Sequence, residues 1–217
     1  SLIACGLQPV DMLGLVLRAL RRTEHRGVVL GGWAELDRLA GELASGSLEV
    51  LGEDWRELAA FAAERVCFIR EVTHEWIFPQ CCLVVHHGGV GTMHAALRAG
   101  KPSVITPVFA DQFTHAELIE RLDVGVGFQV SLAKLTAQEL ALAIKSAEAK
   151  AAKAEALGQK MRLQTGERDA AASLDKFFRK EVQTGTWAKS MLEQKGKSKG
   201  KGKAGGGKAT GAALVRR

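Results

Sequence analysis

One stretch restricts the fold of this chain more than any other. The apolar run Leu83-Val84-Val85 enters His86-His87-Gly88-Gly89-Val90-Gly91-Thr92, and an apolar-periodic segment through Ala95, Ala96 and Leu97 follows. A strand that turns on glycines directly into a helix opens a strand–helix–strand unit. It leaves backbone N–H groups and the positive end of the helix dipole converging on one point, a cradle for an anion such as phosphate. A second apolar run, residues 103–106, ends at Pro107 and is soon followed by Asp111-Gln112, an acid and an amide suited to hydroxyl groups. Phosphate at one end and polyol at the other point to a nucleotide sugar.

Apolar runs of strand length at residues 2–5, 28–30, 66–69, 83–85, 104–106 and 127–130 alternate with amphipathic stretches of helical length. That alternation predicts an α/β fold, a Rossmann-like parallel sheet with helices on both faces. Residues 11–22 place Met12, Leu15, Val16 and Leu20 near one helical face, and residues 114–122 do the same with Leu118, Ile119 and Leu122. Residues 34–64 are polar and acidic, with Ser45-Gly46-Ser47 as punctuation, and predict a helix-containing surface insertion. Beyond Thr136 alanine and charged residues predict consecutive helices, with Leu157 and Met161 on one stripe and Leu174, Phe177 and Phe178 on the next.

The net charge of +6 is unevenly placed. Residues 189–217 hold nine Lys and Arg against one acid, leaving 21 against 23 for the rest, so the folded part is nearly neutral. The Lys/Gly alternation of residues 195–208 is too poor in apolar groups to offset ordering entropy, and it has no aromatic on which a base could stack. Residues 1–182 are therefore expected as the folded domain and 183–217 as a disordered tail with no specific nucleic-acid partner. No apolar run approaches the ~18 residues of a spanning helix. Cys5, Cys67, Cys81 and Cys82 lie in apolar runs rather than at metal-ligand spacings. They predict buried, reduced thiols in a cytoplasmic protein, with no zinc site.

Taken in order, the motifs resemble the nucleotide-sugar glycosyltransferases built from two Rossmann-like domains (the GT-B fold), and among them the sterol glucosyltransferase-like branch. That branch carries a pattern close to P-H-D-W-L-F-P, then V-V-H-H-G-G-x-G-T-T, L-x-A-G-x-P and P-F-F-x-D-Q. Here His74-Glu75-Trp76-Ile77-Phe78-Pro79 and residues 84–92, 97–102 and 107–112 stand in those places. The resemblance implies the donor-binding, C-terminal half of a UDP-glycosyltransferase, over residues 1–182. Two such domains need about 300 residues or more. The chain opens in an apolar run with no methionine and no signal-peptide pattern, so the acceptor-binding half, with the catalytic base, is expected upstream.

By that resemblance His87 contacts the diphosphate of the donor, and Val90, Gly91 and Thr92 present the N–H groups of a helix start. Asp111 and Gln112 hold the sugar, while Val72 and His74 reach the base or ribose, partly through backbone. Alone, Asp111 would read as a helix cap. Strand alternation points His86 to the face opposite His87, which gives it a role in packing or in supporting the residues that touch the ligand. Trp76, inside a compact apolar cluster, is expected in the core rather than as a stacking surface. The implied reaction moves glucose from UDP-glucose to a sterol or other lipophilic hydroxyl with inversion. It needs no cofactor and, with no Asp-x-Asp motif, no metal. Peripheral membrane contact through the acceptor side is left open. So is a noncatalytic UDP-sugar-binding or regulatory module, which the basic tail and Gly6-Leu7-Gln8-Pro9, in place of a Gly-Ser-Met-like turn, would suit.

Overall fold

A computed structural model describes residues 7–48 and 51–199. The strand expected at residues 2–5, with Cys5, and the chain beyond residue 199 lie outside the described residues. Two compact units divide the chain at residues 164 and 165.

In the first unit the elements follow as α1 (Pro9–Thr23), β1 (Gly27–Leu30), α2 (Leu36–Ala44), α3 (Trp55–Arg65) and β2 (Val66–Ile69). The single turn α4 (His74–Ile77) leads to β3 (Val84–His86), α5 (Val90–Arg98), β4 (Ser103–Ile105), α6 (Gln112–Arg121) and β5 (Gly125–Gly127). Helices α7 (Ala137–Glu148) and α8 (Ala151–Arg162) complete the unit. All strand pairs are parallel, and among the described residues they form a two-stranded sheet, β1-β2, and a three-stranded sheet, β3-β4-β5.

Pro9 opens α1 at a position where its missing N–H costs nothing and its fixed φ suits the helix. The helix is buried on two sides, which is why no single stripe describes it. Leu13 and Leu17 join a core with α2 and α3, while Leu15 and Ala19 join another with Val104 and the buried residues of α7. The first core corrects the expectation of a surface insertion at residues 34–64. Leu36, Leu39, Leu43, Leu58 and Ala62 are buried there, and the acidic composition comes from the outward faces of α2 and α3. One of those acids, Asp54, receives Arg18 Nη2 at 2.6 Å, and the hydrogen bond from Arg18 holds its carboxyl below the usual range.

Strand β5 lies earlier than the expected residues 127–130, because its defining feature is glycine rather than alternating apolar side chains. A Cβ on Gly127 would collide with the carbonyl oxygen of Ala116, so its absence lets α6 lie against the strand. On α6 itself Ala116 and Ile119 are fully buried, whereas Leu122, expected on the same face, is exposed beyond the last turn. A capping box starts α7: Thr136 Oγ1 accepts from the Glu139 N–H at 3.2 Å, and Glu139 Oε2 accepts from the Thr136 N–H at 2.9 Å.

The second unit contains α9 (Gly166–Phe177), a π-helical turn at Phe178–Val182 and α10 (Thr186–Lys199), with Phe177 meeting Phe178 and Trp187 edge to face. The boundary therefore falls ahead of the expected residue 182, and residues 186–199 of the expected disordered tail are helical. Among the described residues no helix is long and apolar enough to cross a membrane. The thiols also depart from expectation: Cys67 and Cys82 are exposed and Cys81 is half-buried. Cys67 sits on the outward side of the short strand β2, and Cys82 in the loop before β3.

Candidate functional site

Strand β3 sets the alternation that orients the two histidines. Val84 and His86 are buried, and Val85 and His87 face outward. His86 is only 8% exposed, and its Nδ1 accepts a hydrogen bond from the Gly88 N–H at 3.1 Å. The ring proton therefore sits on Nε2, which has no hydrogen-bond partner among the described residues. Burial, assisted by the nearby His87, His74 and His115, pushes the His86 pKa down to about 3, so the ring is neutral at physiological pH. His87 is also lowered, first by partial desolvation, while the Asp111 carboxylate opposes that shift. Its ring lies back over Gly89, where an added Cβ would press on Nε2.

Between the histidines and the helix the chain turns at Gly88, with φ of +90°, a conformation open to glycine. Gly89 then serves as the N-cap of α5 without any side-chain cap, and the first intrahelical bond runs from Met93 N to Gly89 O at 2.9 Å. The N–H groups of Val90, Gly91 and Thr92 precede that bond and lack intrahelical partners. Val90 and Gly91 are exposed, and Thr92 is half-buried. These free N–H donors stand at the start of a nine-residue helix, the arrangement that favours phosphate.

The turn is fastened to the start of α6. His115 Nδ1 donates to the Gly88 carbonyl at 2.7 Å, and the backbone oxygen of Gln112 lies 3.2 Å from where a Gly88 Cβ would stand. Asp111 is exposed at the N-cap of α6 and makes no capping hydrogen bond, so its carboxylate is available to a ligand. Gln112 behaves differently: it is 5% exposed, and its Oε1 accepts from the N–H groups of Val108 at 2.7 Å and Phe109 at 3.1 Å. Its acceptor is spent on shaping the loop after β4. Cradle and acid thus share one surface, with Gln112 and His115 holding the loops that carry them. No motif in the sequence marks His115. Its spacing of three residues from Gln112, on one helical face, was the signal available.

The loop after β2 packs alongside. The side chain of Val72 lies against the core of Ile77, Phe78, Val84 and Ala96, which leaves its backbone for any ligand. His74 stacks on Phe78 with ring centroids 4.5 Å apart. Trp76, expected in the core, is 60% exposed. With only one turn in α4, Ile77 and Phe78 take the inward positions and Trp76 must point out.

Residues 48–172, more than half of the chain, match the model of the erythromycin biosynthesis protein CIII-like C-terminal domain family. A sterol 3-beta-glucosyltransferase of Arabidopsis thaliana is 33% identical over 147 residues, which cover 66% of this chain and 21% of that protein. A sterol 3-beta-glucosyltransferase of Saccharomyces cerevisiae is 54% identical over 79 residues, 36% of this chain and 6% of that protein. The chain thus spans 21% or less of the length of these curated relatives. Among solved structures, Phytolacca americana UGT2 complexed with UDP-2fluoro-glucose and pterostilbene aligns with a TM-score of 0.54 at 15% identity, covering 72% of this chain and 34% of that one. Os79 from O. sativa, in complex with UDP and deoxynivalenol-3-glucoside, aligns with a TM-score of 0.51 at 19% identity, covering 70% and 42%. At such identities the likeness shows the fold alone: helix-rich α/β with parallel sheets, like one half of a GT-B glycosyltransferase.

Proposed function

The chain belongs to the erythromycin biosynthesis protein CIII-like C-terminal domain family, and from that membership we propose that it is the donor-binding half of a UDP-sugar-dependent glycosyltransferase. The observation that carries this reading is the junction of the β3–α5 turn with the start of α6, made by the His115 to Gly88 hydrogen bond. It gathers unspent N–H donors, an outward histidine and an unengaged carboxylate on one face. The diphosphate takes the N–H groups of Val90, Gly91 and Thr92 together with the His87 ring, and these donors stabilise the charge that grows as UDP leaves. Asp111 holds sugar hydroxyls, with Gln112 bracing the loop beside it. The backbone around Val72 and His74 meets the nucleoside, and exposed Trp76 offers a nearby aromatic surface.

Glucose is the proposed sugar and a sterol the proposed acceptor class, because the relatives are named sterol 3-beta-glucosyltransferases. The acceptor hydroxyl attacks the anomeric carbon from the other half of the enzyme, which supplies the base. The cradle meets the diphosphate charge with N–H donors, so transfer proceeds without a metal. Calorimetry with UDP, GDP and TDP tests the nucleotide: UDP should bind most tightly, and tighter GDP or TDP would contradict the proposal.

The sugar end has its own test. Asp111→Asn keeps volume and an acceptor but removes the charge, so affinity for UDP alone should hardly change. The advantage of UDP-glucose over UDP should shrink by about 1 kcal/mol or more. Parent-like affinity for both ligands would remove Asp111 from the sugar site.

A further inference from the structure

Away from the cradle, three side chains of different donor type converge. We propose that His25, Cys82 and Glu148 form a binding site for a divalent cation of the zinc class, at the end of the parallel sheets opposite the donor turn. His25 lies just before β1 and Cys82 just before β3, whereas the cradle follows the far end of β3. Glu148 is the last residue of α7. Their donor atoms lie within 4.8 Å of one another, and His25 Nε2 is 2.6 Å from Glu148 Oε1. A tetrahedral zinc ion, with bonds of about 2.0–2.3 Å, spaces its ligands roughly 3.3–3.6 Å apart, so small side-chain movements close this set around an ion.

The donor set selects the metal. A thiolate and an imidazole favour zinc over magnesium or calcium, which take oxygen ligands. The carboxylate completes three protein ligands, and the exposure of Cys82 leaves a fourth position to water. The second ring nitrogen of His25, Nδ1, is buried without a partner among the described residues. No second hydrogen bond fixes the ring, so it can turn to present a nitrogen to the incoming ion. The bound ion would join the end of α1, the entry to β3 and the end of α7, segments up to 123 residues apart. None of the three residues belongs to the donor site.

Cobalt(II) titration of the chelator-treated chain tests the site. One equivalent should bind, with a near-ultraviolet thiolate-to-cobalt charge-transfer band and the strong visible bands of a four-coordinate ion. Zinc should displace it and raise the melting temperature. Cys82→Ser should abolish the thiolate band and weaken zinc binding by more than about a hundredfold, while Glu148→Gln, which leaves all three described cysteines in place, should weaken it at least about tenfold. Cys67→Ser, at an exposed cysteine outside the cluster, should change neither signal. Cobalt bound without a thiolate band, a band that survives Cys82→Ser, or zinc affinity unaffected by Glu148→Gln would overturn the proposal and leave a histidine–glutamate ion pair.

Discussion

Lowering the pH from 7 to 4.5 is expected to remove roughly 2–3 kcal/mol of stability from this fold through one buried histidine, His86. Its folded-state pKa is pushed down to about 3 from 6.5, chiefly by burial. The unfolded chain therefore takes up a proton between those values that the folded chain refuses. Stability from this residue is intact above pH 6.5 and lost as pH falls, at about 1.4 kcal/mol per unit, on the order of 4–5 kcal/mol by pH 3. His86→Asn keeps an acceptor for the Gly88 N–H but does not titrate. Urea denaturation at the two pH values should show a loss in the parent exceeding that in the variant by this amount, because the carboxylates common to both cancel. Equal losses would mean that His86 is solvated or protonated in the fold.

Gly88→Ala is expected to cost about 3 kcal/mol or more and to disable the cradle. The residue has φ of +90°, and an added Cβ would stand 2.7 Å from Ile105 Cγ2 and 3.2 Å from the Gln112 backbone oxygen. Neither neighbour can yield easily, since Ile105 is fully buried in β4 and Gln112 opens α6. Gly89→Ala makes the contrast. There the three atoms nearest the Cβ all belong to the His87 ring, a side chain that can turn away. That variant should keep most of its stability while weakening donor binding. Chemical denaturation and nucleotide titration separate the two effects, and a Gly88→Ala loss under about 1 kcal/mol would show that the turn relaxes.

The elements that were legible in the sequence are those whose signal is contiguous. His86 to Thr92 encode their turn through glycines and their opposite facings through strand alternation, and both hold in the structure. Strand β2 at Val66–Ile69 was likewise readable from one apolar run. What could not be read depends on partners distant in sequence. The leucines of α2 and α3 are buried by α1 and Val29, so an acidic composition misled about their depth. Trp76 is surrounded by apolar neighbours in sequence, yet a one-turn helix has inward positions for only some of them. Strand β5 is specified by glycines that admit α6, which no apolar alternation reveals. Gln112 offered an acceptor on paper, but the fold spends it on Val108 and Phe109. The convergence of His25, Cys82 and Glu148 has no local spacing at all.

Donor binding at the β3–α5 turn is the claim on which the functional account rests. Calorimetric titration of UDP into this chain, its His87→Ala variant and its His86→Asn variant addresses it in one experiment. His87 faces outward beside the unpartnered N–H groups and Asp111, whereas His86 points into the core. One UDP should bind per parent chain, with a loss of about 1.5–3 kcal/mol for His87→Ala, the range for a hydrogen bond to a charged group, and near-parent affinity for folded His86→Asn. Parent-like affinity in His87→Ala, or a larger loss at His86 than at His87, would contradict it.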